Sequence, residues 1–451
     1  MIGVTLSRWT MSYFAAALVA LVLGECLMAS GYGFPSAPLR APQTLVLVHL
    51  IAIGWLSLLL CGALFQFVPV LIARPLHGDT LPLPALILLV AGLAALLCGF
   101  LQLAGTINAR AWLFPLAAVL LATGFSLVLY SLGRTLWQAR PLPLPARFVA
   151  IALLCVAATV ALGAIFSFVF GTPVQSEALL TIAAGGVPLH VVAGLGGWLT
   201  FAAMGVSYRL LAMFMLAPEL EGPRTRAVFW LGTGALAVAI LGGVAQLLRD
   251  ATILPALFIG ALLGFAALAL YGADIFHLYG ARKRRIIELN SQMAALAMVS
   301  LAATVVLMLV LTATGFLSDR IGAVVFLAVF GWLSGLGLAK LYKIIAFLTW
   351  LECYGPVLGK TATPRVQDLV VEKRARPWFL LYFLSVWGAT AALLFVHAMA
   401  FRIAAGAMTV ATLAIAVQFL RTRRLSDVAA EAPLPEGARQ PYLLVSLPSS
   451  T

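Results

Sequence analysis

The chain has 451 residues, of which 63% are hydrophobic and only 10% are charged. A water-soluble domain carries roughly 25% charged residues, so this composition excludes a soluble globular protein and favours one embedded in a lipid bilayer. The net charge of +13 does not predict nucleic-acid binding, because the basic residues lie between long apolar runs and not along one polar face.

Twelve apolar runs follow one another along the chain, and each is long enough to cross a bilayer as a helix. A crossing helix needs about 20 mostly apolar residues. We therefore predict an all-α membrane protein with about twelve transmembrane helices, spans 1 to 12. The runs cover 10–31, 44–73, 83–105, 111–133, 147–170, 188–216, 226–248, 252–279, 292–316, 321–350, 378–400 and 402–421.

The distribution of Lys and Arg predicts the orientation of these spans. With an even number of spans and the N-terminus inside, 23 of the 28 basic residues fall on the cytoplasmic side. Such an excess is the usual topology signal. We therefore expect a multi-pass protein of the bacterial inner (cytoplasmic) membrane with both termini in the cytoplasm. Residues 1–421 are predicted to form a single transmembrane domain, followed by a disordered cytoplasmic tail at 422–451.

An internal repeat relates spans 2, 6 and 10. Each contains a Gly-Trp pair, at Trp55, Trp198 and Trp332, and a small residue seven positions after the Trp. An aromatic residue follows at ten positions, and a polar or basic residue such as Arg209 at eleven. The Trp residues are 143 and 134 positions apart, which is four spans in each case. We therefore predict three equivalent groups of four spans.

This organisation resembles the haem-copper oxidase subunit I superfamily over roughly residues 10 to 421. The resemblance implies a pseudo-three-fold arrangement of three four-helix arcs, with helices 2, 6 and 10 lining pores. In that family helix 2 carries a histidine that ligates the low-spin haem, and span 2 carries His49. Helix 6 carries a copper-ligating histidine, and span 6 begins with His190. The resemblance therefore implies haem b as the cofactor and allows copper.

The number of histidines departs from that family. Its full centre needs six, including a pair on helix 7 and two on helix 10, whereas this chain has five in all and none in spans 7 and 10. We therefore do not expect a complete terminal oxidase, and whether the chain is an enzyme stays open. It is more similar to a divergent branch of oxidase-like membrane proteins, or to the NnrS-like proteins linked to nitric oxide stress.

Three histidines are candidate ligands of haem or metal, because ionisable groups within a bilayer are costly and mark functional sites. His49 and His190 lie in the outer parts of spans 2 and 6, and His397 lies near the outer end of span 11. In the family arrangement, His49 would share one iron with His190 or with His397. The alternative is that each histidine makes only hydrogen bonds between helices or at the membrane interface.

Other residues of the repeat spans accompany these histidines as candidates for cofactor binding. They are Trp55, Trp198, Gly194 and Gly197, of which the glycines allow close approach of a helix or a cofactor. Arg209 is suited to a haem propionate or a lipid phosphate.

Several ionisable residues have less specific roles. Glu25, in the outer half of span 1, is suited to proton movement, to pairing with a histidine or cation, or to a hydrogen-bonded neutral carboxyl. Asp274 is expected to pair with a cation of the basic run 282–285. We expect His77 to be solvated and His277 to be structural.

Three functions are compatible with these features. The first is a haem protein that acts in electron transfer or binds a diatomic gas such as nitric oxide, together with a redox partner or respiratory complex. The second is a transporter of a small solute, metal ion or lipid, since internal repeats are common among secondary transporters. The third is a cofactor-free assembly partner of a respiratory complex.

Overall fold

The computed structural model describes residues 8–108, 112–174, 176–428, 434 and 440–446. The regular secondary structure of this part of the chain is helical, apart from one isolated bridge between Leu358 and Thr361. Twelve of its helices are long and apolar enough to cross a membrane, which confirms the predicted all-α fold class. A short helix, Glu177–Gly185, precedes the sixth of them.

The twelve long helices follow the predicted spans in order and are labelled α1 to α12. Several begin with a proline in the first turn, such as Pro42 and Pro223, where the missing N–H costs nothing because it would have no helical partner. The helices are Thr10–Ser30, Pro42–Ile72, Pro82–Leu103, Leu113–Trp137, Leu144–Gly171, Val187–Met215, Pro223–Leu247, Leu254–Gly280, Leu289–Ala313, Leu317–Val357, Glu372–Leu394 and Ala398–Arg423.

The boundary between α11 and α12 differs from the predicted one. The chain turns at 395–397, where Val396 has a φ of +58°. The prediction separated the two spans at Phe401 and Arg402, but both residues lie inside α12. Arg402 reaches back from there to the carbonyl oxygen of Ala29, 3.2 Å from its Nε. The turn was missed because its first two residues are apolar and extend the hydrophobic run.

By its internal contacts the chain divides into two compact units. Unit 1 comprises Met1–Gln66 and Ile287–Thr451, and unit 2 comprises Phe67–Ile286. Residues 1–421 were predicted to form a single transmembrane domain, and apolar helices of the same kind build both units, so composition does not change between them.

Unit 1 has α2 and α10 as its most buried helices. In their most apolar 18-residue windows, 67% and 72% of the residues are buried. Glycines bring the neighbouring helices close to α10. A Cβ atom on Gly337 would lie 2.7 Å from Leu59 of α2, and one on Gly335 would lie 2.7 Å from Phe383 of α11. Such close approach supplies the van der Waals contact that holds helices together in lipid.

Unit 2 has α6 as its most buried helix, at 50% of the corresponding window, whereas α8 is only 22% buried. Gly205 of α6 lies against α5, since a Cβ there would be 2.6 Å from that of Phe148. The three helices of the predicted repeat are thus the most buried helices of their units. The pseudo-three-fold arrangement and the cytoplasmic side of the termini stay predictions.

Residues 440–446 belong to the tail that was predicted to be disordered. They pack against other residues of unit 1. The buried Arg423 donates from Nε to the carbonyl oxygen of Tyr442 at 2.8 Å. Ser12 donates its hydroxyl to the carbonyl oxygen of Leu444 at 2.6 Å. These hydrogen bonds hold the segment in place, and its polar composition alone does not predict them. The rest of the predicted tail beyond Val428, apart from Leu434, lies outside the described residues.

Candidate functional site

In the described part of the chain, four π-helical segments interrupt the transmembrane helices. Three of them contain the repeat residues Trp55, Trp198 and Trp332. A π-helix closes its hydrogen bonds over five residues, is rare, and occurs often at functional sites. The repeat in the sequence therefore corresponds to a shared local backbone. The four segments are Leu50–Ser57, Val192–Phe201, Val238–Gly242 and Leu327–Ser334.

His49 is the last residue before the π-helical segment of α2. Its Nδ1 lies 2.8 Å from the carbonyl oxygen of Leu45, one helical turn earlier. A carbonyl oxygen can only accept, so the neutral ring carries its proton on Nδ1 and its lone pair on Nε2. This is the tautomer of a histidine that ligates a metal through Nε2.

His190 also precedes a π-helical segment, that of α6, which begins two residues after it. Its Nδ1 lies 3.0 Å from the carbonyl oxygen of Thr159 on α5. The ring packs edge-on against Phe166, with the ring centroids 5.5 Å apart. Gly163 leaves room for the ring, because a Cβ there would lie 3.2 Å from Cε1 of His190. Helix α5 thus orients the imidazole and fixes the same tautomer.

The donor chemistry at these two positions fits haem better than an ion held by protein ligands alone. A neutral imidazole is a common axial ligand of haem iron, whose other donors come from the porphyrin. A metal site built from side chains needs several ligands, and within the described ranges no three His, Cys, Asp or Glu residues are grouped to hold an ion. His49 belongs to unit 1 and His190 to unit 2, so each is considered as a ligand by itself.

His397 lies in the exposed turn before α12 and not inside α11, where it was predicted. Its N–H donates to Ala392 at 2.9 Å, and its carbonyl oxygen accepts from the N–H of Phe401 at 3.0 Å. These backbone bonds hold the turn, while the imidazole is exposed. The structure therefore gives His397 a less defined setting than the other two histidines.

Trp55 and Trp198 lie in the cores of their units, 0% and 2% exposed. The Nε1 of Trp55 donates to the hydroxyl of Ser334 at 2.8 Å, which links the π-helical segments of α2 and α10. The third repeat Trp differs, because the buried Nε1 of Trp332 has no hydrogen-bond partner among the described residues. Contact of these rings with a cofactor stays a prediction.

Gly194 and Gly197 bring α6 close to α5. A Cβ on Gly197 would lie 2.5 Å from Sγ of Cys155, and one on Gly194 would lie 3.3 Å from Cγ2 of Thr159. These glycines were predicted to allow close approach of a helix or of a cofactor, and the structure shows close approach of a helix. The approach matters for the site, because it brings the carbonyl of Thr159 within reach of His190.

A hydroxyl residue two positions after each repeat Trp is a signal that the sequence analysis missed. The residues are Ser57, Thr200 and Ser334, so all three spans read Gly-Trp-Leu-Ser or Gly-Trp-Leu-Thr. Ser57 donates to the carbonyl oxygen of Ala52, five positions earlier, at 2.7 Å. A short hydroxyl side chain can thus satisfy backbone carbonyls where the regular helical pattern is interrupted. Extending the repeat alignment by two residues would have found this signal.

Glu25 is fully buried in α1. Thr412 of α12 donates to its Oε1 at 2.9 Å, whereas its Oε2 has no hydrogen-bond partner in the part of the chain that the structure describes. Tyr382 of α11 lies within electrostatic range of this carboxyl. The same tyrosine donates to the carbonyl oxygen of Phe330, in the π-helical segment of α10, at 2.9 Å. Tyr382 was not predicted, because nothing in its sequence context distinguishes it.

Two basic residues at the ends of unit 2 helices, Arg209 and Arg224, form ion pairs within the protein. Arg209 forms an ion pair with Glu219, and neither a haem propionate nor a lipid is needed to balance its charge. Asp274 pairs with a cation as predicted, but the partner is Arg224 at the start of α7 and not the run 282–285. The hydropathy pattern could not show this, because it contains no information on which helix ends are neighbours.

Of the remaining two histidines, His77 lies in a loop and His277 near a helix end. The backbone of His77 anchors the loop between α2 and α3, since its N–H donates to Thr135 and its carbonyl accepts from Ser131, at 2.9 and 2.7 Å. It is therefore more than a solvated residue. His277 is exposed at the end of α8, beside Phe276.

No protein-family model matches the chain, and the search of curated proteins gives no match either. Function is therefore inferred from the histidines and the interrupted helices themselves.

Proposed function

We propose that this chain is an integral membrane protein that binds b-type haem, that His49 and His190 are each, considered separately, a ligand of haem iron, and that the chain acts in electron transfer or in binding a diatomic gas such as nitric oxide. The observation that carries the proposal is the shared setting of the two histidines. Each precedes a π-helical segment, and each Nδ1 lies close to a backbone carbonyl oxygen, at 2.8 and 3.0 Å. Held in this way, an imidazole has Nε2 as its basic nitrogen.

The contribution of the protein is to orient the ligands. The carbonyl groups of Leu45 and Thr159 keep the proton on Nδ1 of each ring, and Phe166 packs against the ring of His190. Haem, when bound, supplies one-electron chemistry and an iron atom that binds small gases. The chain has five histidines, and the full centre of the oxidase family that it resembles needs six. We therefore do not propose oxygen reduction to water. The proposal includes a redox partner or respiratory complex in a bacterial inner membrane.

The haem content of histidine variants tests this proposal. We would purify His49→Ala, His190→Ala and the wild type in mild detergent from haem-replete cells and measure extracted haem per chain. His397→Ala is the matched control, because it removes an exposed imidazole. We expect haem to fall in the first two variants and to stay at the wild-type level in the control. The same haem content in all four proteins would contradict the ligand assignment.

Transport of a small solute, metal ion or lipid is the second candidate, and one observation favours it. Secondary transporters bind their substrates where transmembrane helices are interrupted at corresponding positions of internal repeats. The π-helical segments of α2, α6 and α10 are such interruptions, and Glu25 is a buried carboxyl in α1. This function would be favoured if the purified protein is colourless, takes up substrate into proteoliposomes, and loses that uptake in the Glu25→Gln variant. A colourless protein without uptake that co-purifies with a respiratory complex would favour an assembly partner.

A further inference from the structure

A basic loop, residues 282–285, follows α8. Arg282, Lys283 and Arg285 are exposed, and in the described ranges no carboxylate pairs with them. The loop is anchored, because the N–H groups of Lys283 and Arg284 donate to carbonyl oxygens at the end of α6, at 3.4 and 3.2 Å. An anchored loop loses little conformational freedom when it binds an anion, which favours binding.

Two acidic residues of unit 2, Glu219 and Asp274, are already paired. Glu219 neutralises Arg209, and Asp274 neutralises Arg224 while accepting a hydrogen bond from Tyr208 at 2.9 Å. The charges of Arg282, Lys283 and Arg285 are therefore not balanced by these two carboxylates. An anion from outside the chain is the natural counter-charge.

An open groove of about 780 Å³ lies along the last turns of α8 and ends where the basic loop begins. Gly272, Ala273 and Gly280 line it, and no atom lies within 4 Å of the position that a Cβ on either glycine would take. Phe276, 83% exposed, forms one side. Phe276 and Gly280 follow Gly272 by four and eight positions, and Ala273 precedes Phe276 by three, so these residues lie on one side of the helix. The lining of the groove is thus mostly apolar, and Arg224 and His277 are its two basic members.

We propose that the groove and the basic loop together bind an anionic phospholipid, with an acyl chain along Gly272, Ala273 and Phe276 and the phosphate at Arg282 and Arg285. The two features together define the ligand class. A neutral lipid would use the groove but not the cations, and a free phosphate would use the cations but leave the apolar groove empty. Basic residues at a membrane surface favour anionic lipids by about fivefold in affinity for each cation. This site does not depend on haem binding.

Lipid titration of the full-length protein in detergent tests the site. Binding is followed by the rise in thermal unfolding midpoint and by native mass spectrometry of retained lipid, which reports only on folded chains. We expect phosphatidylglycerol to bind more tightly than phosphatidylcholine. Arg282→Gln/Arg285→Gln should weaken phosphatidylglycerol binding by roughly 25-fold and leave phosphatidylcholine unaffected. The matched control is Lys360→Gln/Lys373→Gln, which removes two exposed charges from unit 1 and should have no effect.

A groove-filling variant separates a lipid from a free anion. Gly272→Leu should lower the affinity for phosphatidylglycerol without changing any charge, whereas inorganic phosphate should stabilise neither the wild type nor this variant. Stabilisation of both by inorganic phosphate, with no effect of Gly272→Leu on phosphatidylglycerol, would overturn the lipid assignment in favour of a free anion. Equal affinity for the two phospholipids, or the same loss of binding in the lysine control, would overturn the site itself.

Discussion

At the scale of single residues, a backbone carbonyl places the proton of His49 and of His190 on Nδ1, which makes Nε2 the basic nitrogen of each ring. For His49 the carbonyl belongs to its own helix, four residues earlier, whereas for His190 it belongs to Thr159 on α5. The first arrangement follows from helix geometry, but the second requires the close packing of α5 and α6 that Gly194 and Gly197 permit. The two sites therefore differ in how strongly they depend on tertiary structure.

The hydrogen bond of Trp55 gives a prediction at this scale. Trp55→Phe should lower the free energy of unfolding by about 1 kcal/mol more than Trp332→Phe, because only Trp55 donates from Nε1 to a described partner, Ser334. Both substitutions remove a similar volume from the core, so their difference isolates the bond. Denaturant titration in detergent, followed by circular dichroism, measures it. Equal losses for the two variants would show that the bond adds no stability.

Asp427 gives a prediction about pH. Burial raises the pKa of Asp427, but hydrogen bonds from Arg421 and Arg374 outweigh burial and hold the pKa below its usual range. A carboxyl whose pKa is lower in the folded protein stabilises it at pH values above its unfolded pKa, about 4, and this stabilisation is lost as the pH falls through the folded value. The difference in unfolding midpoint between wild type and Asp427→Asn should therefore be largest near neutral pH and shrink in acid. A difference that does not change with pH would contradict this.

At the scale of helices, the sequence predicted the number, order and approximate limits of α1 to α12, because the thickness of a bilayer fixes the length of an apolar run. It did not predict the π-helical segments, since a hydropathy pattern does not distinguish hydrogen bonds over four residues from bonds over five. The turn at 395–397 was missed for a related reason, because Phe395 and Val396 are as apolar as the helices on either side. The repeat at Trp55, Trp198 and Trp332 could be seen in the sequence, but the π-helical backbone that it adopts could not.

The packing of α6 on α5 gives a prediction at the helix scale. Gly197→Ala should destabilise the protein by about 1–3 kcal/mol, because the added Cβ meets the side chain of Cys155. It should also lower haem content, since it moves α6 away from the carbonyl that holds His190. Gly133→Ala in α4 is the matched control, because nothing lies within 4 Å of its Cβ position, and it should be neutral or stabilising by about 0.5–1 kcal/mol. Equal effects of the two variants would mean that α5 and α6 are not closely packed.

At the scale of the whole molecule, the sequence predicted a twelve-helix membrane protein but not its two compact units or the course of residues 440–446. The excess of basic residues on one side gives an orientation, which accessibility of single cysteines on the two membrane faces would check. The ordered part of the tail could not be foreseen, because it depends on the buried side chain of Arg423 at the end of α12.

The buried ion pair of Arg423 and Glu352 gives a prediction at this scale. Their side chains are 3% and 7% exposed and lie 2.6 Å apart, and Arg423 also holds the tail. Arg423→Gln should destabilise the protein by about 3–5 kcal/mol and make the tail sensitive to limited proteolysis. Arg365→Gln, which breaks an exposed pair with Asp368, should cost less than about 1 kcal/mol and leave the tail protected. A tail that stays protected in Arg423→Gln would contradict this role.

The central claim is that the two histidines beside π-helical segments ligate haem. The most direct measurement is the reduced-minus-oxidised absorption spectrum of the wild-type protein, purified in mild detergent from haem-replete cells. We predict a b-type spectrum that changes when nitric oxide is added to the reduced protein. A folded but colourless protein would contradict the claim.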